Sequence, residues 1–345
     1  MAHPLSAAAH LTAQAMRIGW FYGLNRLLER EAGRIGPARP KVVPSRPVPS
    51  QRELFADLGS LLLADAAAVR DGLYPAMEDD ERPLDHLARV RSMFADLPGA
   101  LRRRHDRDAG TARTMPEAEG LPDYFAQDFH FQTGGYLTED SARLYDVQVE
   151  TLFFGAAAPM RRAALKPIAR FIAGRDQRRL ALCDVACGTG RFLRQVRRAW
   201  PALNLTGLDL SRRYLDEAAR HLRGLRPAEL IAANAEAMPL DDASQDIVTT
   251  IFLFHELPPD VRRRVAREMA RILRPGGLLV FVDSLQMGDR PAYDGLLEAF
   301  PVRFHEPYFR GYALDDLARV FADAGLRPET TTTAFLSKVM TWRKP

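Results

Sequence analysis

The chain has 345 residues, of which 47% are hydrophobic and 27% charged, and its formal net charge is +4. This length is sufficient for one large domain with an accessory region or for two modest domains. Basic and acidic side chains are intermixed, as in residues 102–108, which favours a solvated surface over a nucleic-acid-binding face. No apolar run is long enough to cross a bilayer.

The chain has two cysteines, Cys183 and Cys187, on a predicted strand and the turn that follows it. Two cysteines placed so close together are unsuited to a disulfide framework, which predicts a reducing, cytoplasmic location. The first residues lack the basic start and apolar core of a secretory signal, so none is expected.

A long helix is predicted over residues 5–33, where Met16, Trp20, Leu24 and Leu27 recur at helical spacing. Two interpretations of this apolar face stay open. The helix either packs on the body of the protein or makes weak contact with a membrane surface.

A proline-rich linker is predicted near residues 36–50. Ser50 and Glu53 then have the spacing of a capping box, which predicts a helix start. The helical segment that follows extends to about Arg104. We therefore expect an N-terminal helical region over residues 1–120.

The pattern changes at about residue 121. Residues 121–170 form an aromatic-rich segment that becomes helical, and strands alternate with helices over residues 171–345. The strands are predicted at 180–186, 204–210, 228–235, 246–254 and 276–284, with a final pair within 327–343. The intervening helices are predicted to begin near Gly190, Ser211, Pro259 and Leu314.

Apolar strands that alternate with helices predict a mostly parallel sheet covered on both faces. The short connection between the last two strands predicts an antiparallel hairpin. The expected fold class is therefore α/β: a Rossmann-like, doubly wound, seven-stranded sheet with a C-terminal antiparallel hairpin and an N-terminal helical region.

The first predicted strand ends in the sequence DVACGTG, which contains Gly188 and Gly190. Glycines permit a tight turn and a close approach by a ligand, at the sheet edge where such folds bind ligands. Asp209 follows about 20 residues later, the offset of a carboxylate that accepts ribose hydroxyls. The dinucleotide pattern needs a third glycine where Leu193 stands, and no phosphate-binding Gly-Lys-Ser/Thr is present.

Four motifs together resemble those of class I S-adenosylmethionine-dependent methyltransferases, in particular the quinone-biosynthesis-like branch that acts on small molecules. They are LCDVACGTGRFL (182–193), LTGLDLSRRYLDEA (205–218), ANAEAMPLDDASQDIV (233–248) and EMARILRPGGLLVFVDS (268–284). The resemblance covers roughly residues 165–345. It implies S-adenosyl-L-methionine as the cofactor and methyl transfer as the reaction.

The resemblance assigns residues to the methionine and ribose parts of the cofactor. Gly188 and Gly190 would line the methionine part, with Asp184 near its ammonium group, and Asp209 would hold the ribose hydroxyls. Alternatively, Asp184 caps the following turn and Asp209 is a charge at a helix N-terminus. Ala186 belongs to the same turn and stands where the family often has glycine.

For the adenine, the resemblance implies that Leu210 packs beside the ring and that the backbone N–H of Ala235 binds it. Asn234 or Glu236 would add a polar contact.

Candidates for the acceptor side follow the fourth strand. His255 is a candidate general base, because the ordinary pKa of histidine is near neutrality, and Glu256 can assist it. The alternative is that His255 shapes the pocket or bonds to the backbone.

A second candidate group lies in FHEPYFRGY, residues 304–312. The resemblance implies that insertions here cover the acceptor pocket, which makes His305 and Tyr308 catalytic candidates and Tyr312 a substrate-binding one. Glu306 is also a candidate. No metal site is predicted, because nothing in the sequence fixes the geometry of the two His-Glu pairs.

The segment YFAQDFHFQTGGYL, residues 124–137, contains too many aromatic residues for an ordinary solvent loop. It is either a lid with His130, Gln132 and Tyr136 facing a substrate or a buried packing segment.

Three functions stay open. The first is methyl transfer to a small aromatic or apolar acceptor, by a protein that can be a homodimer. The second is a nucleic-acid methyltransferase, although the strand tip HELPPD lacks the amide and aromatic residues of the DNA-amine motif, so no nucleic-acid partner is expected. The third is a non-catalytic or atypical S-adenosylmethionine-binding protein.

Overall fold

The computed structural model describes residues 4–36, 42–77 and 82–345. Part of the linker predicted near 36–50, and a few positions of the predicted helical region 1–120, therefore lie outside the described residues. Among the described residues, no helix combines the length and the apolar character needed to traverse a bilayer.

Three long helices begin the chain: α1 (Pro4–Ile35), α2 (Gln51–Arg70) and α3 (Pro83–Asp106). The predicted capping box is confirmed, because Ser50 accepts a hydrogen bond from the backbone N–H of Glu53 and the Glu53 carboxylate accepts one from the backbone N–H of Ser50 at 2.7 Å. These two bonds satisfy N–H groups that the first turn of α2 would otherwise leave unpaired.

A buried polar cluster joins these helices to the rest of the protein. The carboxylate of Asp65 accepts hydrogen bonds from Arg162 at 2.6 Å and from Tyr74 at 2.7 Å, and lies 2.9 Å from the His10 ring. All four side chains are buried. Because a buried charge is tolerated only when it is paired, this cluster fixes α1 and α2 against the helix that carries Arg162.

Residues 124–137, called the aromatic segment below, contain one 3-10 turn at Phe129–Phe131. Three helices follow: α4 (Glu139–Leu152), α5 (Ala157–Arg162) and α6 (Leu165–Ile172).

The predicted seven-stranded sheet is present, in the order β3-β2-β1-β4-β5-β7-β6. Pairing is parallel from β3 to β5, whereas β7 runs antiparallel to both of its neighbours, as the predicted hairpin requires. The strands are β1 (Ala181–Val185), β2 (Asn204–Asp209), β3 (Glu229–Ala232), β4 (Gln245–Ile251), β5 (Leu273–Ser284), β6 (Arg327–Ala334) and β7 (Ser337–Arg343).

Helices connect the strands and cover both faces of the sheet. They are α7 (Arg191–Ala199), α8 (Arg212–His221), α9 (Pro259–Ile272), α10 (Asp294–Arg303), α11 (Phe309–Ala313) and α12 (Leu317–Asp323). The last begins three residues later than predicted, because the side chain of Asp316 accepts a hydrogen bond from the backbone N–H of Arg319 and caps that helix.

Alternate residues of the central strands enter two different cores. Leu182 and Val280 pack on one face of the sheet with Ile168 of α6, in a core that also includes residues of α1 and α2. Val248 and Phe281 pack on the other face with α9 and α12. Burial on both faces explains why these strands are apolar throughout rather than alternating with polar residues.

Candidate functional site

A cavity of about 810 Å³, partly open to solvent, lies at the carboxyl ends of β1, β2 and β4. This is the edge at which doubly wound sheets bind ligands. On the side of β1, β2 and β3 it is lined by predicted cofactor residues: Ala186, Gly188, Asp209, Leu210, Asn234 and Ala235. Facing them are residues of the aromatic segment, α4, α8 and the turn after β4: Phe125, Phe129, Tyr136, Tyr145, Tyr214 and Glu256.

Gly188 and Asp209 form one unit at the cavity wall. The Gly188 N–H donates to Oδ2 of Asp209 at 2.8 Å, and Oδ1 accepts from the backbone N–H of Ser211 at 2.8 Å. Burial raises the pKa of Asp209 to about 6, although these backbone donors act in the opposite direction. A Cβ added at Gly188 would meet no atom within 4 Å. This space is suited to a ligand.

Asp184 lies beneath the cavity rather than on its wall. Thr249 of the adjacent strand donates to its carboxylate at 2.6 Å. Burial is the main reason that the pKa of Asp184 is raised to about 7. A nearby cation would stabilise the ionised form of this carboxylate.

Ala186 and Gly190 shape the backbone of the turn after β1. Both have a left-handed conformation, with φ of 59° and 74°. A Cβ at Gly190 would lie 2.8 Å from the Cβ of Ala218, so this glycine lets α7 approach α8 and does not line the cavity. Ala186 adopts its conformation without the freedom of glycine.

The backbone N–H of Glu236 donates to the amide oxygen of Asn234 at 2.9 Å, but only one of the two residues lines the cavity. Asn234 lines the cavity, whereas the Glu236 carboxylate is held away from it by Tyr124 at 2.6 Å and by Arg264 at 2.5 Å. Of the two predicted adenine contacts, Asn234 is therefore the one in position.

The opposite wall is aromatic. Tyr136 stacks on Phe129, with ring centroids 5.2 Å apart and an interplanar angle of 15°. The rings of Tyr145 and Tyr214 meet Tyr136 edge-on. These ring contacts join the four side chains into one continuous aromatic surface.

Hydrogen bonds hold the aromatic segment against the domain. Ser211, the N-cap of α8, donates its hydroxyl to the carbonyl of Tyr136 at 2.6 Å. Gln132 does not line the cavity; its amide donates to the Ser141 carbonyl at 3.0 Å. Within this segment, Tyr136 thus faces the cavity, as predicted, whereas Gln132 has a packing role.

His255 is bonded to a carboxylate that the sequence analysis did not single out. Its Nδ1 lies 2.5 Å from Oδ1 of Asp283, near the end of β5. Burial lowers the pKa of His255, but the carboxylates of Asp283, Glu306 and Glu256 together outweigh burial, so that the pKa is raised to about 10. A raised pKa disfavours the role of general base at neutral pH, and that role of His255 stays a prediction.

Glu256 is the acidic group at the acceptor side of the cavity. Its carboxylate accepts a hydrogen bond from the Tyr136 hydroxyl at 2.5 Å. Burial is the main reason that its pKa is raised to about 7.

His305, Tyr308 and Tyr312 do not line the cavity. Gln127 holds the first two, with His305 Nε2 2.9 Å from the amide oxygen and the Tyr308 hydroxyl 3.1 Å from the amide nitrogen. Tyr312 is buried, and its hydroxyl donates to the carbonyl of Ser284 at 2.5 Å. Hydrogen bonds within the protein occupy the polar groups of these three side chains, so those groups do not point at an acceptor in the cavity.

A family model described as a methyltransferase domain matches residues 182–277. The chain contains a methyltransferase domain. S-adenosyl-L-methionine is its cofactor, and the match agrees with the resemblance that the four motifs carry.

Curated relatives resemble this domain. A demethylmenaquinone methyltransferase of Thermotoga maritima is 34% identical over 37% of this chain and 53% of its own length. One from Listeria welshimeri is 32% identical over 43% of this chain and 59% of its own length. A carboxy-S-adenosyl-L-methionine synthase of Aeromonas salmonicida is 29% identical over 34% of this chain and 49% of its own length. The chain thus spans about half the length of the curated relatives it matches.

A solved structure of a putative methyltransferase from Bacillus halodurans is 20% identical, with a TM-score of 0.41, and the match covers 52% of this chain and 98% of that chain.

The matched segment contains the cofactor turn, Asp209, Asn234, His255 and Glu256, but only Tyr214 of the aromatic wall. That wall includes Tyr145 and Tyr214, which sequence reasoning missed. Tyr214 stands in the quoted motif 205–218, and its place in the first turn of α8, close to Asp209, was the available signal. Asp283 also had a signal, because it lies near the carboxyl end of β5, at the same edge of the parallel sheet as the cofactor turn.

Proposed function

We propose that this protein transfers a methyl group from S-adenosyl-L-methionine to a small aromatic or apolar acceptor. The observation that supports this most strongly is one continuous cavity, with the methyltransferase turn on one side and an aromatic wall on the other. The demethylmenaquinone methyltransferases among the relatives are compatible with a flat, quinone-like acceptor.

The residues present fit the cofactor. When bound, S-adenosyl-L-methionine supplies a methyl group on an activated sulfonium. The space beside Gly188 admits a ligand, and the buried carboxylate of Asp209 offers acceptor atoms for ribose hydroxyls. Leu210 would pack beside the adenine and Asn234 would bind it, while Asp184 would stabilise the ammonium group from below.

The acceptor would be held by the aromatic wall. Phe129, Tyr136 and Tyr214 are buried, so they keep their positions whether or not an acceptor is bound. Their contribution would be to align the acceptor and to exclude water, which accounts for much of the rate of such a transfer. Glu256 would be the polar contact that orients the acceptor within the apolar wall.

Native mass spectrometry of the purified protein, followed by calorimetric titration with S-adenosylhomocysteine and with NAD, tests the cofactor. We expect micromolar binding of S-adenosylhomocysteine that Asp209→Ala abolishes and that Asp216→Ala, at an exposed position of α8, retains. Binding of NAD alone would overturn the proposal.

Formation of S-adenosylhomocysteine with quinone-like acceptors tests turnover. Tight cofactor binding without turnover on any acceptor would favour the non-catalytic alternative. Turnover on DNA or RNA, with a steep salt dependence of binding, would favour the nucleic-acid alternative.

Exposed apolar side chains on α1 support weak contact with a membrane surface. Met16, Trp20 and Leu27 lie on one face of the helix and are 72%, 49% and 55% exposed. Vesicle sedimentation tests this contact, and we expect less bound protein for the double variant Met16→Ser/Trp20→Ser. The solution mass of the intact chain tests the predicted homodimer.

A further inference from the structure

Three side chains from distant parts of the chain meet beside the aromatic wall. His130 comes from the 3-10 turn Phe129–Phe131, Glu256 from the turn after β4, and Glu306 from the loop after α10. One ligand atom from each lies within 4.8 Å of the others. Nε2 of His130 is 3.1 Å from Oε1 of Glu306.

Among the described residues, the only ion-pair contact of the Glu306 carboxylate is with the ring of His130. The Glu306 side chain is fully buried, and neither carboxylate oxygen accepts a hydrogen bond from any residue that the structure describes. A buried carboxylate without donors is costly, because it loses its water without compensation. Oε1 lies 3.1 Å from Nε2 of His130, and neither oxygen has a well-formed hydrogen bond, which indicates that this carboxylate can take a further partner.

The backbone at His130 is held in an uncommon conformation that places its ring next to Glu306. His130 has φ of 56° and the following residue, Phe131, has φ of 58°. The N–H of His130 donates to the carbonyl of His305 at 3.3 Å, which ties the turn to the loop that carries Glu306. Left-handed conformations at non-glycine residues persist where surrounding structure enforces them, often at functional sites.

The residues around the cluster orient one of its members, Glu256, and include a second imidazole, that of His255. Tyr136 donates to Glu256, and Asp283 holds the ring of His255, whose Nε2 lies 3.8 Å from Oε1 of Glu256. A hydrogen bond to a ligating carboxylate, such as that from Tyr136 to Glu256, is a support that metal ligands normally have.

We propose that His130, Glu256 and Glu306 form a binding site for one divalent transition-metal ion. One imidazole nitrogen and two carboxylate oxygens are a ligand set that Zn²⁺, Fe²⁺ and Mn²⁺ use in proteins. The sequence predicts no metal site, because the relative positions of the His-Glu pairs are unknown before folding. In the structure, one glutamate of each pair and a histidine of the aromatic segment provide the three ligands.

The position of the site relative to the cavity suggests where the ion would act. Glu256 belongs both to the cluster and to the cavity wall, so the ion would adjoin the acceptor side. Binding of the ion does not depend on methyl transfer, so the two proposals can fail separately.

Metal binding is measured on the full chain after removal of metals with a chelator. Calorimetric titrations with Zn²⁺ and with Mn²⁺ are expected to give one ion per chain. Glu306→Gln and His130→Asn should each weaken binding by roughly 100-fold or more, because loss of a ligand exceeds the effect of losing a ligand's support.

His305→Asn is the matched control. His305 is adjacent to Glu306, but its Nε2 contacts Gln127, so we expect this variant to bind metal as the wild type does. Unchanged S-adenosylhomocysteine binding by all three variants would show that each remains folded. The absence of stoichiometric metal binding, or equal affinity in the wild type and both ligand variants, would overturn the proposal.

Discussion

Asp146 of helix α4 accepts a hydrogen bond from the Thr189 hydroxyl of the glycine-rich turn, at 2.8 Å from Oγ1 to Oδ1. The other oxygen of Asp146 accepts from Nε of Arg191, at the start of α7, at 2.8 Å. A residue outside the matched methyltransferase segment thus fixes the turn of the cofactor site.

We expect Asp146→Asn to destabilise the protein by about 2 kcal/mol, because it removes a buried carboxylate that accepts hydrogen bonds from both Thr189 and Arg191. Urea unfolding measures this change. Asp140→Asn, at an exposed position of the same helix, should change the stability by no more than about 0.5 kcal/mol. Equal effects of the two substitutions would contradict a role of Asp146 in fixing the turn.

Asp184 should make the stability of the ligand-free protein depend on pH. Its pKa is raised to about 7 from 3.8, so the folded state retains a proton that the unfolded state loses. Stability should therefore fall as the pH rises from about 4 to 7. At pH 8, Asp184→Asn should stabilise the ligand-free protein by on the order of 4 kcal/mol, because it removes the buried charge. Urea unfolding across this pH range checks the expectation.

The same carboxylate predicts a proton release on ligand binding. If it faces the ammonium group, S-adenosylhomocysteine should bind more tightly as the pH rises from 6 to 8. Calorimetry in buffers with different ionisation enthalpies would detect the released proton. Affinity that is independent of pH would exclude this role.

Gly188→Ala should distinguish the loss of space for the cofactor from the loss of stability caused by backbone strain. Gly188 and Gly174 both have a positive φ, and a Cβ at either meets no protein atom within 4 Å. Alanine at either position should cost about 1 kcal/mol of stability. Only Gly188→Ala should weaken S-adenosylhomocysteine binding, by roughly tenfold or more, because its methyl group would occupy ligand space. Calorimetry on both variants gives the comparison.

Ala186→Gly should stabilise the protein. Relief of the left-handed strain gains about 1–2 kcal/mol, and the greater freedom of glycine in the unfolded chain offsets about half of this. We expect a net gain of roughly 0.5–1 kcal/mol, seen as a higher thermal midpoint. At the exposed Ala173, where φ is −52°, the same substitution has no strain to relieve and should not stabilise the protein.

The sheet and the cofactor turn could be predicted from sequence because their signals are local. Apolar strands, the glycines of the turn and the capping residues Ser50 and Ser211 each act within a few positions of the chain. The offset from Gly188 to Asp209 spans one strand-helix-strand unit, and the structure joins the two residues by a hydrogen bond.

The acceptor side could not be predicted to the same extent, because its contacts join distant segments. Gln127 forms hydrogen bonds with His305 and Tyr308, which lie more than 170 positions later in the chain. No local sequence pattern predicts these contacts. The same cause brings His130 to Glu306. Asp283 could have been predicted from the sequence, since it lies near a strand end at the ligand-binding edge of the sheet.

The ties from Ser211 to Tyr136 and from Tyr124 to Glu236 make the aromatic segment a covering layer over the domain that the family model recognises. A truncated chain that starts at residue 171 would retain the cofactor turn but would expose the edge of its cavity. Acceptor choice in this protein would then be encoded largely outside the shared domain. Two chains with the same methyltransferase core could diverge in chemistry by exchanging only the layer that precedes it.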